Sequence, residues 1–137
     1  MGSNRGFSLV ELMIVVAIIA IIAGIAIPNY ANSKIAANEA AAASAVKSIV
    51  TANMMYASTV GNGAYTGALD ALGATNPPLL DPILASGHRN GYSFDVSGGG
   101  DTFIVTAQPI SSGVTGNRSF TCDQTGVLYA DGDVFNW

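Results

Sequence analysis

Gly6-Phe7-Ser8-Leu9-Val10-Glu11-Leu12 opens the stretch that decides how this chain is read, and the run after it, Met13 to Ile27, has no charge and no hydroxyl. From Phe7 to Ile27, 21 residues, only Ser8 and Glu11 are polar. As a helix rising 1.5 Å per residue the segment is about 30 Å long, the thickness of a bilayer's hydrocarbon core. Glu11 lies inside it, where an ionised carboxylate costs roughly 2.5 kcal/mol or more. Such a group either reaches back to the membrane interface or takes a partner. Gly24, Ala26 and Pro28 end the run, so conventional signal-peptide cleavage after Ala26 is a competing reading.

Outside this segment the chain changes character. Half of the 137 residues are hydrophobic and 10% are charged, which excludes a fully disordered chain. Up to residue 60, Arg5, Lys34 and Lys47 stand against Glu11 and Glu39, a balance of +1; beyond it Arg89 and Arg118 face seven aspartates, a balance of −5. An acidic, water-facing body on an apolar stem lacks the cationic patch that phosphate neutralisation needs, so no direct nucleic-acid partner is expected. Cys122 is the only cysteine, which excludes an intrachain disulfide and thiolate metal sites.

The string Gly6 to Leu12 behind the polar leader Met1 to Arg5 closely resembles the processing site of type IV pilins and pseudopilins. The resemblance covers roughly the first 30 residues. It implies a prepilin leader, residues 1–6, removed by a prepilin peptidase that cuts between Gly6 and Phe7 and methylates the new amine of Phe7. It implies a transmembrane and polymerisation helix, residues 7–30, in which Phe7, Glu11 and the kink-forming Pro28 serve assembly, and a globular head, residues 31–137. A glycine before the cut lets a peptidase approach the backbone closely. Arg5 and the initiating amine would hold that end at the cytoplasmic face, although Lys34 and Lys47 weaken the charge asymmetry.

The string has a physical logic of its own. Cleavage turns the uncharged amide of Phe7 into a cationic amine among apolar side chains. The Glu11 of a neighbouring subunit can neutralise it, so two groups that are each costly in lipid become a pair when subunits stack. Open head-to-tail contacts of this kind propagate as helical filaments.

Pro28 removes one helix hydrogen bond, so a kink or a short melted stretch is expected there. Ala31 to Ala57 contain neither Gly nor Pro, and Val46, Ile49, Val50 and Met54 recur at helical spacing. One kinked helix from Phe7 to Ala57 would be roughly 75 Å long, its apolar half protruding and its second half packed on a body. Gly61-Asn62-Gly63 ends it. A short helix is expected in Ala68 to Leu72, and an irregular loop around Pro77, Pro78 and Pro82.

Strand signals follow. Tyr92, Phe94 and Val96 alternate with polar residues, Ser97 to Asp101 turns the chain, Phe103, Val105 and Ala107 alternate again, and Arg118–Cys122 and Gly126–Ala130 add two strands. The fold class is therefore α+β: a long N-terminal helix whose second half covers a four-stranded antiparallel sheet through Tyr92, Phe94, Phe103, Val105, Phe120 and Val127. That layout is also pilin-like.

Asp123, Asp131 and Asp133 cluster near the C-terminus, and oxygen-only ligands suit calcium. The resemblance to pseudopilins that bind calcium in such a loop makes these three candidate ligands; ordinary turn chemistry accounts equally for Asp131-Gly132-Asp133. His88 stands in a Gly- and Asn-rich loop with no nucleophile or carboxylate beside it in a recognisable motif, and no phosphate-loop, dinucleotide or zinc spacing occurs. No enzymatic function is expected. Three readings remain: a pilus-like filament subunit, a pseudopilin of a type II secretion system, and a membrane-anchored binding module. In the first two the precursor sits in the inner membrane as a single-pass protein, meets the pilus or secretion machinery, and assembles as a homo-oligomer, extracellular for a pilus and periplasmic for a pseudopilin.

Overall fold

The computed structural model describes residue 2 and residues 6–135. Arg5, expected to hold the leader at the cytoplasmic face, lies outside the described residues. Two compact units are distinguished, Met1–Ser33 and Lys34–Trp137. Nine elements follow in chain order among the described residues: α1 (Leu9–Thr59), α2 (Leu69–Gly73), α3 (Pro82–Ala85), β1 (His88–Arg89), β2 (Tyr92–Gly99), β3 (Thr102–Pro109), β4 (Phe120–Asp123), β5 (Leu128–Ala130) and β6 (Asp133–Val134).

The 51-residue helix α1 runs through Pro28 without a break, so the melted stretch expected there is absent. A proline deletes a single rung of the hydrogen-bond ladder, and the turns on either side keep the helix continuous. It ends as expected, with the Gly63 N–H closing on the Ala57 carbonyl at 2.8 Å. Pro82, expected in a loop, instead opens α3, where its missing N–H is no loss; Asp81 caps that turn by accepting the Ile83 N–H at 3.0 Å.

In the second unit the sheet is a pure antiparallel meander in the order β1 to β6. It has six strands where four were expected, because β1 and β6 are two-residue edge strands, too short to show any alternation. His88 accordingly stands on β1, exposed, and not in a loop. The β2–β3 turn is also tighter than the glycines suggest: β2 continues to Gly99 and pairs with Thr102. Tyr65 pins its tip through two backbone hydrogen bonds with Gly100, at 2.8 and 3.0 Å, and lays its ring 4.7 Å from that of Phe103.

The buried face of α1 reads Ala42, Ala43, Val46, Ile49, Val50, Asn53 and Ala57. It shares one core with Tyr92, Phe94, Val96, Phe103, Val105, Ala107, Phe120, Cys122 and Leu128. Two expectations about this core are corrected. Met54 is half exposed, because the stripe that starts at Val46 returns at Asn53 and Ala57, leaving Met54 on its flank. Val127 is exposed and Leu128 buried, because Leu128 is the cross-strand partner of inward-facing Cys122 and partners share a face.

Two polar side chains sit in this otherwise apolar stripe, and both are fully partnered. The Asn53 carboxamide donates to the Thr66 carbonyl and accepts the Thr66 N–H, each at 2.9 Å. Glu39 accepts the Asn117 N–H on Oε1 at 2.9 Å, while Oε2 takes Nε and Nη2 of Arg118 at 2.8 and 2.7 Å. Asn38 donates to the Thr115 carbonyl at 2.9 Å, and the Tyr92 hydroxyl donates to the Arg118 carbonyl at 2.8 Å. Gly116 fits beneath the Tyr92 ring; a Cβ there would fall 2.0 Å from the hydroxyl oxygen. Together these contacts strap the β3–β4 connection onto α1.

Burial alone would raise the Glu39 carboxyl, but the Asn117 N–H and the Arg118 guanidinium outweigh it and hold the group below its ordinary 4.5. Burial, reinforced by the Glu39 charge, pushes the Tyr92 hydroxyl from 10.0 up to about 12. A lowered acid contributes stability that is complete above its unfolded value and is lost as pH falls through the folded one. A raised tyrosine contributes stability that is complete below pH 10.0 and is lost as pH rises through about 12. Thermal unfolding of the detergent-solubilised chain is therefore expected to be flat near neutrality and to weaken at both ends; Tyr92→Phe should remove much of the alkaline limb. Arg118→Ala is expected to cost about 3 kcal/mol and Glu39→Gln about 1, because the arginine's loss strands a buried carboxylate whereas the half-exposed guanidinium can be hydrated.

Candidate functional site

The site expected from the sequence begins at Gly6. Gly6, Phe7 and Ser8 precede the first helical residue, Leu9, and all three are exposed, Phe7 at 87%. Ser8 occupies the N-cap. Its hydroxyl accepts the Glu11 N–H at 3.2 Å, and Glu11 Oε2 accepts the Ser8 N–H in return at 2.9 Å. This reciprocal arrangement is a capping box, which satisfies two of the donors that a helix start leaves open and places a negative charge at the positive end of the helix dipole.

Glu11, expected to pair with a neighbouring subunit, thus first finds a partner within its own chain, through one oxygen. The Ser-x-x-Glu spacing of Ser8 and Glu11 was the signal for it in the sequence.

Behind the cap comes an apolar surface that is exposed among the described residues. Leu9, Val10, Leu12 to Val16, Ile18, Ile19, Ile21, Ile22, Ile25 and Ile27 are all exposed, and an 18-residue window of α1 reaches a mean hydropathy of 3.0 with none of it buried. An apolar surface this continuous requires lipid or protein against it. Pro28 lies on the same exposed stretch of helix.

The three candidate calcium ligands are not brought together. Among the described residues no three His, Cys, Asp or Glu side chains form a group that could hold a metal ion. Asp123 is taken up locally: its carboxylate accepts both the hydroxyl and the N–H of Thr125, which hold it below the usual carboxylate range. Asp131 accepts the Ser119 N–H at 2.9 Å and returns its own N–H to the Ser119 carbonyl at 3.0 Å. Asp131 and Gly132, both at positive φ, make the two-residue turn of the β5–β6 hairpin, with Asp133 just after it. The turn reading of these aspartates is the one the geometry supports. The Cys122 thiol is buried in the core, and burial pushes its pKa up, away from the reactive thiolate. The Glu39–Arg118 pair was missed from sequence; its signal was a lone acid one turn before Ala42 and Ala43 on the face that becomes buried.

Residues 1–27 match the family model described as the prokaryotic N-terminal methylation motif. The chain is 31% identical over 128 residues to the type IV wide pilus major component PilA4 of Thermus thermophilus, spanning 90% of this chain and 96% of that protein. It is also 30% identical over 137 residues to the type II secretion system core protein G of Klebsiella michiganensis, 98% of this chain and 94% of that one. The chain belongs to the type IV pilin and pseudopilin family.

A third relative, the type IV major pilin protein PilA of Myxococcus xanthus, is 47% identical over 53 residues, 39% of this pilin-family chain and 24% of its own length. No solved structure matches the chain significantly. In this family member the C-terminal hairpin is held by Asp131 and by packing of Phe120 on Phe135, whose rings lie 5.6 Å apart edge to face. Asp131→Ala, which removes the Ser119 acceptor and puts alanine at a positive φ, is expected to lower stability by about 1 kcal/mol. Excess chelator is expected to leave the unfolding midpoint within about a degree, since the three aspartates do not converge on one site; differential scanning calorimetry of both samples checks the pair.

Proposed function

We propose that this chain is the structural subunit of a type IV pilus-like surface filament. The observation that carries the reading is the conjunction, at one helix start, of the methylation-motif match with a cap and then an apolar face that is exposed among the described residues. In this reading residues 1–6 are the leader, residues 7–30 the membrane and polymerisation helix, and residues 31–137 the displayed head. A prepilin peptidase cuts between Gly6 and Phe7 and methylates the Phe7 amine. The precursor waits in the inner membrane with the apolar half of α1 in lipid. Assembly moves that surface from lipid to the α1 helices of other copies, while Glu11 of one copy neutralises the Phe7 amine of the next and so sets the register. Leu, Ile and Val supply the area, and Pro28 lies within the same packed stretch. The work is structural and calls for no catalytic residue.

A pseudopilin of a type II secretion system, assembling in the periplasm, is the second reading. It is favoured by the near full-length similarity to core protein G and uses the same processing and polymerisation chemistry.

Intact-mass and N-terminal analysis of material sheared from native cells, against the membrane pellet, separates the readings. An abundant sheared form beginning at methylated Phe7 is expected. A mature form confined to the pellet would favour the pseudopilin, and a chain still carrying residues 1–6 in both fractions would overturn processing altogether. Gly6→Leu is expected to accumulate as full-mass precursor. Glu11→Ala and Glu11→Gln should both insert normally yet lose most filament yield; the glutamine keeps a capping side chain, so normal filaments from it would remove the ion pair from the mechanism.

A further inference from the structure

Leader removal is a hydrolysis: water adds across the bond between the Gly6 carbonyl and the Phe7 nitrogen, the leader leaves with a Gly6 carboxylate, and the chain keeps a Phe7 ammonium. A peptidase reaches that bond only if the carbonyl is free of helix hydrogen bonds and the flanking backbone can lie extended. The residues that follow it press the other way, since α1 is a long apolar helix that gains from every added turn.

The geometry points to Ser8 as a positioning residue for this cut: its capping box stops α1 at Leu9 and keeps the Gly6–Phe7 bond outside the helix, open to the peptidase. The proposal rests on the processing reading given above. Three observations support it. The first hydrogen bond of the helical ladder runs from the Leu12 N–H to the Ser8 carbonyl, at 3.2 Å, so the helical turn begins one residue beyond Phe7. The box closes in both directions, Ser8 N–H to Glu11 and Glu11 N–H to Ser8, which occupies the donors an extra turn would need to reorganise. The surroundings of the bond are open as well among the described residues: apart from its chain neighbours nothing comes within 4 Å of where a Cβ on Gly6 would stand, and Phe7 is 87% exposed. Glu11 takes part through the same box, but it also carries the assembly charge, so Ser8 is the residue at which positioning can be tested by itself.

The test uses full-length precursor in membrane vesicles with an active prepilin peptidase. The initial rate at which chains beginning at Phe7 appear is read by intact mass for the parent, Ser8→Ala and Ser8→Asn. Asparagine caps as well as serine and alanine does not, so Ser8→Asn is expected to mature within about twofold of the parent and Ser8→Ala about fivefold more slowly. Amide hydrogen exchange on the same precursors is expected to show added protection at Phe7 and Ser8 only in the alanine variant. Direct reading of the side chain by the enzyme would give the opposite order, alanine being nearer to serine in size. That order, equal rates for all three, or unchanged exchange in Ser8→Ala would overturn the proposal. A parent chain left uncut by a peptidase that is active on its own substrate would instead overturn the processing reading, and the proposal with it.

Discussion

The face of α1 from Glu39 to Ala57 carries the constraint around which the second unit is arranged. A sheet whose inner face presents Tyr92, Phe94, Phe103 and Phe120 must cover that surface, and the helix offers small side chains, Ala42, Ala43 and Ala52, between Val46, Ile49 and Val50. Small residues let the backbone of the helix approach the aromatic rows closely, so the rings fill the space. Packing of this kind is directionally loose, and the two polar residues in the stripe supply what it lacks. Asn53 locks the segment just after the helix, and Glu39 locks the connection between β3 and β4, each through hydrogen bonds that leave no buried side-chain nitrogen or oxygen unpartnered among the described residues.

The Glu39 contact is also where stability and charge meet. A carboxylate taken out of water is tolerated only with donors on both oxygens, and here a backbone N–H and a guanidinium provide them. Arg118 is in turn held from its other side, 5.3 Å over the Phe135 ring, and its carbonyl receives the Tyr92 hydroxyl. Helix, sheet and the C-terminal segment are thus joined at one arginine. In a chain with a single cysteine this joint and the Asn38 bond to the Thr115 carbonyl fix the long β3–β4 connection.

The first unit follows a different logic. Its helix is closed at the start by Ser8 and Glu11 and from Leu12 to Ile27 shows only apolar side chains, so its start is hydrogen-bonded while its apolar surface stays exposed. Such an element is stable as a helix and unstable as a monomer in water, which is the physical condition for a subunit that passes from lipid to a polymer. Glu11 turns one oxygen to its own helix; in the proposed assembly the other meets the Phe7 amine of a second copy.

Much of this was legible from the residues because it rests on local pattern. An uninterrupted apolar run determines that its helix must leave water, the Gly6-to-Leu12 string determines the family, and alternation at Tyr92–Val96 and Phe103–Ala107 determines the central strands. What escaped was non-local. Two-residue strands such as β1 and β6 have no period to read and exist only because a neighbouring strand pairs with them. The parity of β5, which buries Leu128 and exposes Val127, is set by its register with Cys122. The partnership of Glu39 with Arg118 joins residues far apart in sequence, and Asp123 and Asp131 take separate local partners, Thr125 and Ser119. Sequence by itself determined where apolar surface lies and which segments are helix or strand; the tertiary structure decided which polar groups meet, because buried charges and edge strands take their partners from whatever the packing brings near.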